Sequence, residues 1–190
     1  AKAEDLSAII DGVRRAGFKG VNVTVPHKEA AFALAHRTDD AARMAGAANL
    51  LIFQGREIEG RNTDSFGLSE SLRESIGTLD GKTVVLLGAG GAARGVILAL
   101  QMLGAGKIHL LNRDAARAKT LAAALGAHVK VAISPGALSD WNGCAGEAAL
   151  LVNSTSAGMG ANPPLEIDLS ALPKSARSEE HTSELQSLSS

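Results

Sequence analysis

Apolar and polar residues alternate from Gly20 to Val25, with Val21, Val23 and Val25 set against Asn22 and Thr24. That period of two predicts a strand. Pro26 ends it, because it has no N–H for a ladder and fixes its own φ. A helix is expected before the strand, over Ala3 to Ala16, and another after it, over Glu29 to Ala35. Ala47 to Phe53 is mostly apolar, Gln54-Gly55-Arg56 suits a turn, and Glu57 to Gly60 returns, which predicts a strand pair. Asp64 to Ile76 carries Phe66, Leu68, Leu72 and Ile76 at helical spacing and is followed by Gly77.

From Lys82 the pattern changes. Short, nearly continuous apolar runs now alternate with helical stretches: TVVLLG, a helix from Gly91 to Leu103, KIHLLN, a helix from Ala115 to Leu125, then HVKVA and LLVNS. Strands buried on both faces read this way, so the second part is expected to be a doubly wound parallel sheet. The fold class is α/β: a Rossmann-type sheet preceded by part of a smaller α/β domain that ends near Arg61. No internal repeat is visible.

The second glycine-rich stretch adds chemistry to that outline. Gly88-Ala89-Gly90-Gly91-Ala92-Ala93 is a G-x-G-x-x-A loop placed directly after a strand and before a helix. Gly88 suits the tight turn, Gly90 lets the backbone approach a pyrophosphate, and Ala93 permits close helix–strand packing. The helix N-terminus adds aligned N–H groups, so Gly88, Ala89, Gly90, Gly91 and Ala92 are candidate dinucleotide contacts. The next strand ends in Asn112-Arg113, 24 residues after Gly88. A carboxylate there would accept from the ribose 2′-hydroxyl of NAD, whereas Asn112 and Arg113 suit a 2′-phosphate. Arg117, one helical turn on, can face the same way. NADP is therefore favoured. Asp114 keeps NAD open: it either opposes a phosphate or caps the following helix.

Composition narrows the field. The chain has 190 residues, 45% hydrophobic and 21% charged, with a net charge of −1 and only 3% aromatic residues. Such a chain offers neither a basic stripe nor stacking platforms, so no nucleic-acid partner is expected. No apolar run reaches membrane-spanning length and no signal peptide is visible, so no membrane partner is expected either. Cys144 is the single cysteine. A reducing cytoplasm fits, and the thiol reads as a small structural residue. The histidines show no metal spacing, and no metal is expected.

The C-terminal segment RSEEHTSELQSLSS, Arg177 to Ser190, has five serines and no period. Its first eleven residues resemble an in-frame translation of a sequencing adapter. Residues 177–190 are therefore expected to be non-native and to take no part in the fold. Without Arg177, Glu179, Glu180 and Glu184 the net charge moves to about +1. The start, Ala-Lys-Ala-Glu, lacks an initiator methionine. Both ends are expected to be missing natural sequence, leaving the outer edge of the LLVNS strand unpaired.

Lys28 follows the strand end at Pro26 and opens the next helix, a position that suits either a surface lysine or chemistry. Gly60-Arg61-Asn62-Thr63-Asp64 sits at a strand exit, and Asp64 alone would read as a helix cap. Taken together, GFKGVNVTVPHK, GAAN, GRNTD, GAGGAAR, NRDAAR and NSTSAGM resemble the shikimate dehydrogenase family in order and spacing, from about Leu6 to Met159. The resemblance implies reduction of 3-dehydroshikimate to shikimate by NADPH, a step of aromatic amino-acid biosynthesis. It implies that Lys28 and Asp64 are catalytic, that Thr24 and Asn49 join them in binding the substrate, and that Asp40 and Met159 lie near the cofactor. For Asp40 a helix-cap role stays open, and for Met159 a simple turn.

The implied domains are 1–63, a partial substrate-binding domain; 64–78, a connecting helix; and 79–176, a truncated NADP-binding domain. The family's N-terminal serine pair and C-terminal glutamine helix are not present in this chain, so the fragment itself is expected to be inactive. Leu50 stands where the family usually has threonine. Three alternatives remain: a quinate/shikimate dehydrogenase preferring NAD, a nucleotide-binding module without catalysis, and the nucleotide domain of a glutamyl-tRNA reductase. The NVTVPHK strand argues against the last. Oligomeric state is not readable from the sequence.

Overall fold

The computed structural model describes residues 5–24, 26–158 and 163–180. The chain divides into two compact units, Ala1–Leu68 and Ser69–Ser190. In the first, helix α1 (Leu6–Arg15) is followed by β1 (Gly20–Asn22), α2 (Lys28–Leu34), β2 (Arg37–Thr38), α3 (Asp40–Ala45), β3 (Leu50–Gln54) and β4 (Glu57–Arg61). The sheet order is β1-β3-β4-β2. β1 and β4 both run antiparallel to β3, while β2 lies parallel to β4.

The hairpin forms where the alternation predicts it, with Gln54 paired to Glu57 across Gly55-Arg56. Gly55 has φ 63°, a left-handed turn conformation that glycine adopts without a Cβ penalty. α1 buries Leu6 and Ile10 on one face, four residues apart, against Leu51, Phe53 and Ile58 of the hairpin.

β1 is shorter than its alternation suggests. Asn22 is its last ladder residue, although the Val23 N–H still donates to the Asn49 carbonyl at 2.8 Å. β2 and α3 carry no strong periodicity and are not anticipated above. α3 exists because Asp39 caps it, accepting from the Ala42 N–H at 2.7 Å, and Gly46 closes it at φ 63°.

Helix α4 (Asp64–Ile76) matches the spacing of its apolar residues, and the boundary between the units falls inside it. Phe66 is the exception on that helix, 58% exposed. The second unit then runs β5 (Thr83–Leu87), α5 (Gly91–Met102), β6 (Lys107–Asn112), α6 (Ala115–Gly126), β7 (Ala132–Ala137), α7 (Trp141–Cys144), β8 (Ala148–Asn153) and β9 (Arg177–Glu180). All five strands are parallel, in the order β7-β6-β5-β8-β9. Val84 to Leu87, Ile108, Leu110, Leu150 and Val152 are essentially inaccessible, as strands covered on both faces must be. Strand order reverses on either side of β5, which is where open α/β sheets form ligand crevices.

Two expectations are corrected here. HVKVA, residues 128–132, is not the third strand except for its last residue, Ala132. The His128 and Val129 N–H groups close the end of α6 on the Leu125 carbonyl, and the Val131 N–H donates to the Gln101 side chain. The strand starts at Ala132 and runs through AISPGA, which pairs residue for residue with β6. It lies at the sheet edge, where Pro135 and Gly136 are tolerated.

The second correction concerns the tail. The outer edge of β8 is not bare, because Arg177–Glu180 pairs along it from Leu150 to Asn153. A ladder is made by backbone N–H and C=O groups, so a polar segment without a period can supply one.

Candidate functional site

In the first unit the polar residues gather where α2 and α4 begin. The Lys28 carbonyl accepts from the Ala48 N–H at 2.9 Å, joining the start of α2 to the Gly46–Asn49 turn. Asn49 is fixed from both sides: its N–H donates to the Arg61 carbonyl at 3.0 Å and its carbonyl accepts from Val23. The side chains then converge. Lys28 Nζ donates to Asp64 Oδ2 at 2.8 Å, and Asn49 Nδ2 donates to Asp64 Oδ1 at 2.7 Å. Asn49 Oδ1 accepts from the Thr63 N–H at 3.0 Å. The structure thus brings together three of the four expected substrate residues. Thr24, the fourth, is exposed just before them, and its carbonyl accepts from the His27 N–H.

Lys28 and Asp64 are 27% and 39% exposed, so a small molecule can reach both. An ammonium carries three N–H donors, of which Asp64 takes one. The other two are available to a ligand oxygen. The carboxylate keeps lone pairs free beyond its two partners. Acidic charge in the first turn of α4 also suits the helix dipole.

Asn62 is a residue the motif reading passed over. It is 6% exposed, and both ends of its amide are used. Oδ1 accepts from the Asp64 N–H at 3.0 Å, and Nδ2 donates to the Ala47 carbonyl at 3.0 Å. It therefore holds the turn bearing Asn49 to the helix start bearing Asp64. The signal was present: asparagine two residues before a helix start is an Asx-turn pattern. We expect Asn62→Ala to weaken this pairing and to lower stability by about 1–3 kcal/mol, since it orphans buried groups; a urea melt measures it, and an unchanged midpoint would refute it.

Asp40 begins α3, exposed and ion-paired with Arg43. The cap role in that turn belongs to its neighbour Asp39.

In the second unit Gly88 leaves β5 with φ 100°, and its N–H donates to the Leu111 carbonyl. The Ala89 N–H donates to Asn112 Oδ1 at 3.2 Å. Gly90 is the N-cap of α5. A Cβ placed on Gly90 or Gly91 would meet no protein atom within 4 Å. Gly90 borders a cavity of about 650 Å³ lined by Gly88, Ala89 and Gly90 on one side and by Asn112, Arg113 and Arg117 on another. Gly91 and Ala92 are exposed at the α5 N-terminus, and Ala93 is fully buried, letting the helix sit close to the sheet.

Ser154, Thr155 and Ser156 close the cavity from the end of β8. All three belong to the NSTSAGM motif, of which only Met159 is named as a cofactor contact from sequence; a loop after a strand at the reversal point is a standing candidate. Asp114 turns away from phosphate duty in one respect: its Oδ1 accepts from the Ala116 N–H at 2.9 Å and so caps α6. The donor set fits a dinucleotide: backbone N–H groups at a helix N-terminus, room for a pyrophosphate, and two arginines beyond. Met159 lies outside the described residues.

Cys144 is buried, and burial, with the charges of Glu147 and Asp140, pushes its thiol pKa up, as a structural cysteine requires. His109 is engaged with Glu147, whose carboxyl is held below its usual range by hydrogen bonds from His109 and Lys107. Among the described residues no group of three His, Cys, Asp or Glu could hold a metal ion, and no helix is long and apolar enough to cross a membrane.

Two family models match the chain: the shikimate dehydrogenase substrate binding domain over residues 1–51, and shikimate / quinate 5-dehydrogenase over residues 70–160. A shikimate dehydrogenase (NADP(+)) of Dinoroseobacter shibae is 43% identical over 181 residues, covering 92% of this chain and 63% of that protein. The crystal structure of shikimate dehydrogenase from Aquifex aeolicus is similar at TM-score 0.79 and 30% identity, covering 95% of this chain and 64% of that one. The ligand-free 5-ketofructose reductase of a Gluconobacter strain is also similar at TM-score 0.79, with 32% identity, covering 95% of this chain and 65% of that one. The chain thus spans less than two thirds of the length of these proteins.

Proposed function

Because this chain belongs to the shikimate dehydrogenase family, we propose that the whole protein reduces 3-dehydroshikimate to shikimate with NADPH. The observation that carries the reading is the Lys28–Asp64–Asn49 set, in which a charged proton donor is held 2.8 Å from a carboxylate that asparagine fixes in turn. The bound nicotinamide would supply hydride to the ketone. Lys28 Nζ donates a proton to the ketone oxygen and offers positive charge beside it. Asp64 Oδ2 orients that ammonium and accepts from a substrate hydroxyl. Asn49 keeps Asp64 in place by donating from its Nδ2 to the Asp64 Oδ1, and Thr24 contributes its hydroxyl from the preceding strand end.

In the second unit the Gly88–Gly91 loop would hold the pyrophosphate, and Arg113 and Arg117 the 2′-phosphate. Asp40 and Met159 are proposed as further cofactor contacts. Residues 1–63 would form the substrate part, 64–78 the connecting helix and 79–176 the nucleotide part, with 177–190 foreign to the natural protein. Activity is assigned to the whole protein and not to these 190 residues alone.

The test is NADPH oxidation with 3-dehydroshikimate, with 5-ketofructose and dehydroquinate as competing ketones. A higher kcat/KM on either competitor would displace the assignment. A second reading, a quinate/shikimate dehydrogenase preferring NAD, draws on Asp114, which lines the same cavity as Arg113. Arg113→Ala combined with Arg117→Ala decides between them. Losing charge-assisted contacts worth roughly 1.5–3 kcal/mol each should weaken NADPH while sparing NADH. Equal losses would mean that neither arginine reads a 2′-phosphate.

A further inference from the structure

Asn112 ends β6 with its amide turned to two different partners. Oδ1 accepts from the Ala89 N–H at 3.2 Å, and Nδ2 donates to the Asp114 carbonyl at 2.9 Å. The first partner lies inside the glycine loop. The second lies between Arg113 and Arg117, the two arginines of the cavity wall. An asparagine amide has two N–H donors and a carbonyl with two lone pairs. One of each is therefore engaged within the protein.

The loop requires such a hold. Ala89 stands between Gly88, at φ 100°, and Gly90, and glycine peptides have the most backbone freedom to lose on ordering. The Ala89 N–H is fixed by a side chain of the neighbouring strand and not by the loop itself. Resting on the dinucleotide reading above, we propose that Asn112 is a positioning residue that locks the glycine loop to the Arg113–Arg117 segment. It sets the spacing at which the two ends of one dinucleotide are met, and it does not itself read the 2′-phosphate. This revises the role that its place beside Arg113 suggests from sequence.

The role separates three ligands. NADP⁺ and NAD⁺ both need the loop. Adenosine 2′-monophosphate needs only the arginine side, because it has no pyrophosphate. Binding of each is measured by calorimetric titration of the complete chain, before and after Asn112→Ala, with a thermal melt of both proteins. Asn112→Ser serves as a second variant, since its hydroxyl keeps the site polar but falls short of Ala89.

The expected result is a roughly tenfold weakening of both dinucleotides, unchanged affinity for adenosine 2′-monophosphate, and a melting temperature within about 4 °C. Weakening of NADP⁺ and the monophosphate with NAD⁺ unaffected would overturn the proposal, showing Asn112 to be a direct phosphate reader. A parallel fall in all three affinities together with the melting temperature would also overturn it, as mere scaffolding. Failure of the unaltered chain to bind either dinucleotide would instead sink the reading of the cavity, and the proposal with it.

Discussion

Replacing Lys28 by alanine in the complete enzyme is expected to lower kcat by about 10²–10⁴-fold while leaving NADPH affinity unchanged. The side chain is held by Asp64 in the first unit, whereas the nucleotide cavity is built wholly from residues of the second. A loss confined to kcat would mark an interaction made in the transition state, and a loss confined to KM would mark uniform binding. Lys28→Arg sharpens the result. It keeps the positive charge but cannot release a proton near neutral pH, so it should stay close to the alanine variant if proton donation dominates. Near wild-type turnover for Lys28→Ala would remove the residue from the mechanism.

The second large effect is expected at Gly88. Its φ of 100° is a region that L side chains rarely adopt. An added Cβ would also lie 2.9 Å from both Ser154 Oγ and Thr155 Cγ2, and 3.1 Å from the Thr155 nitrogen. These neighbours cannot easily give way. Ser154 Oγ donates to the Leu87 carbonyl at 2.9 Å, and the Thr155 N–H and hydroxyl both donate to Asn153 Oδ1.

Backbone strain and overpacking together should cost about 2–5 kcal/mol. That is a large part of the roughly 5–15 kcal/mol of a typical domain. Gly88→Ala should therefore lower the melting temperature by roughly 5–20 °C and abolish dinucleotide binding. Gly90→Ala is the control, because its Cβ meets nothing in the protein. It should melt like the unaltered chain yet bind NADP⁺ poorly, since the methyl would occupy the pyrophosphate's approach. If Gly88→Ala melts normally, the packing argument fails.

Much of the fold was legible because it rests on burial that repeats along the chain. TVVLLG, KIHLLN and LLVNS are apolar enough to require cover on both faces, and each becomes a strand of the parallel sheet. α4 occupies the residues its periodicity marks. Elements whose formation depends on a single contact were not legible. α3 is six residues long and rests on one carboxylate cap, β2 has only two ladder residues, and β7 passes through Pro135 and Gly136 because its edge position allows it. β9 has no apolar pattern at all, since its side chains play no part in making a ladder.

The same division runs through the candidate site. Local sequence determined what chemistry is carried: a lysine after a proline-terminated strand, a carboxylate at a helix start, a glycine loop between a strand and a helix, and arginines after the next strand. These depend on residue type and short spacing, which the chain states directly. Tertiary structure alone decided which of them meet. Lys28 and Asp64 are 36 residues apart and become partners because β3 and β4 return the chain beside α2. Asp39 caps α3 in place of Asp40, Asp114 caps α6, and Asn62 and Asn112 tie separate segments together. A side-chain hydrogen bond is decided by distances within a few tenths of an ångström. Such distances are set only once the sheets have closed, so hydrophobic spacing fixes the elements but leaves these partnerships open.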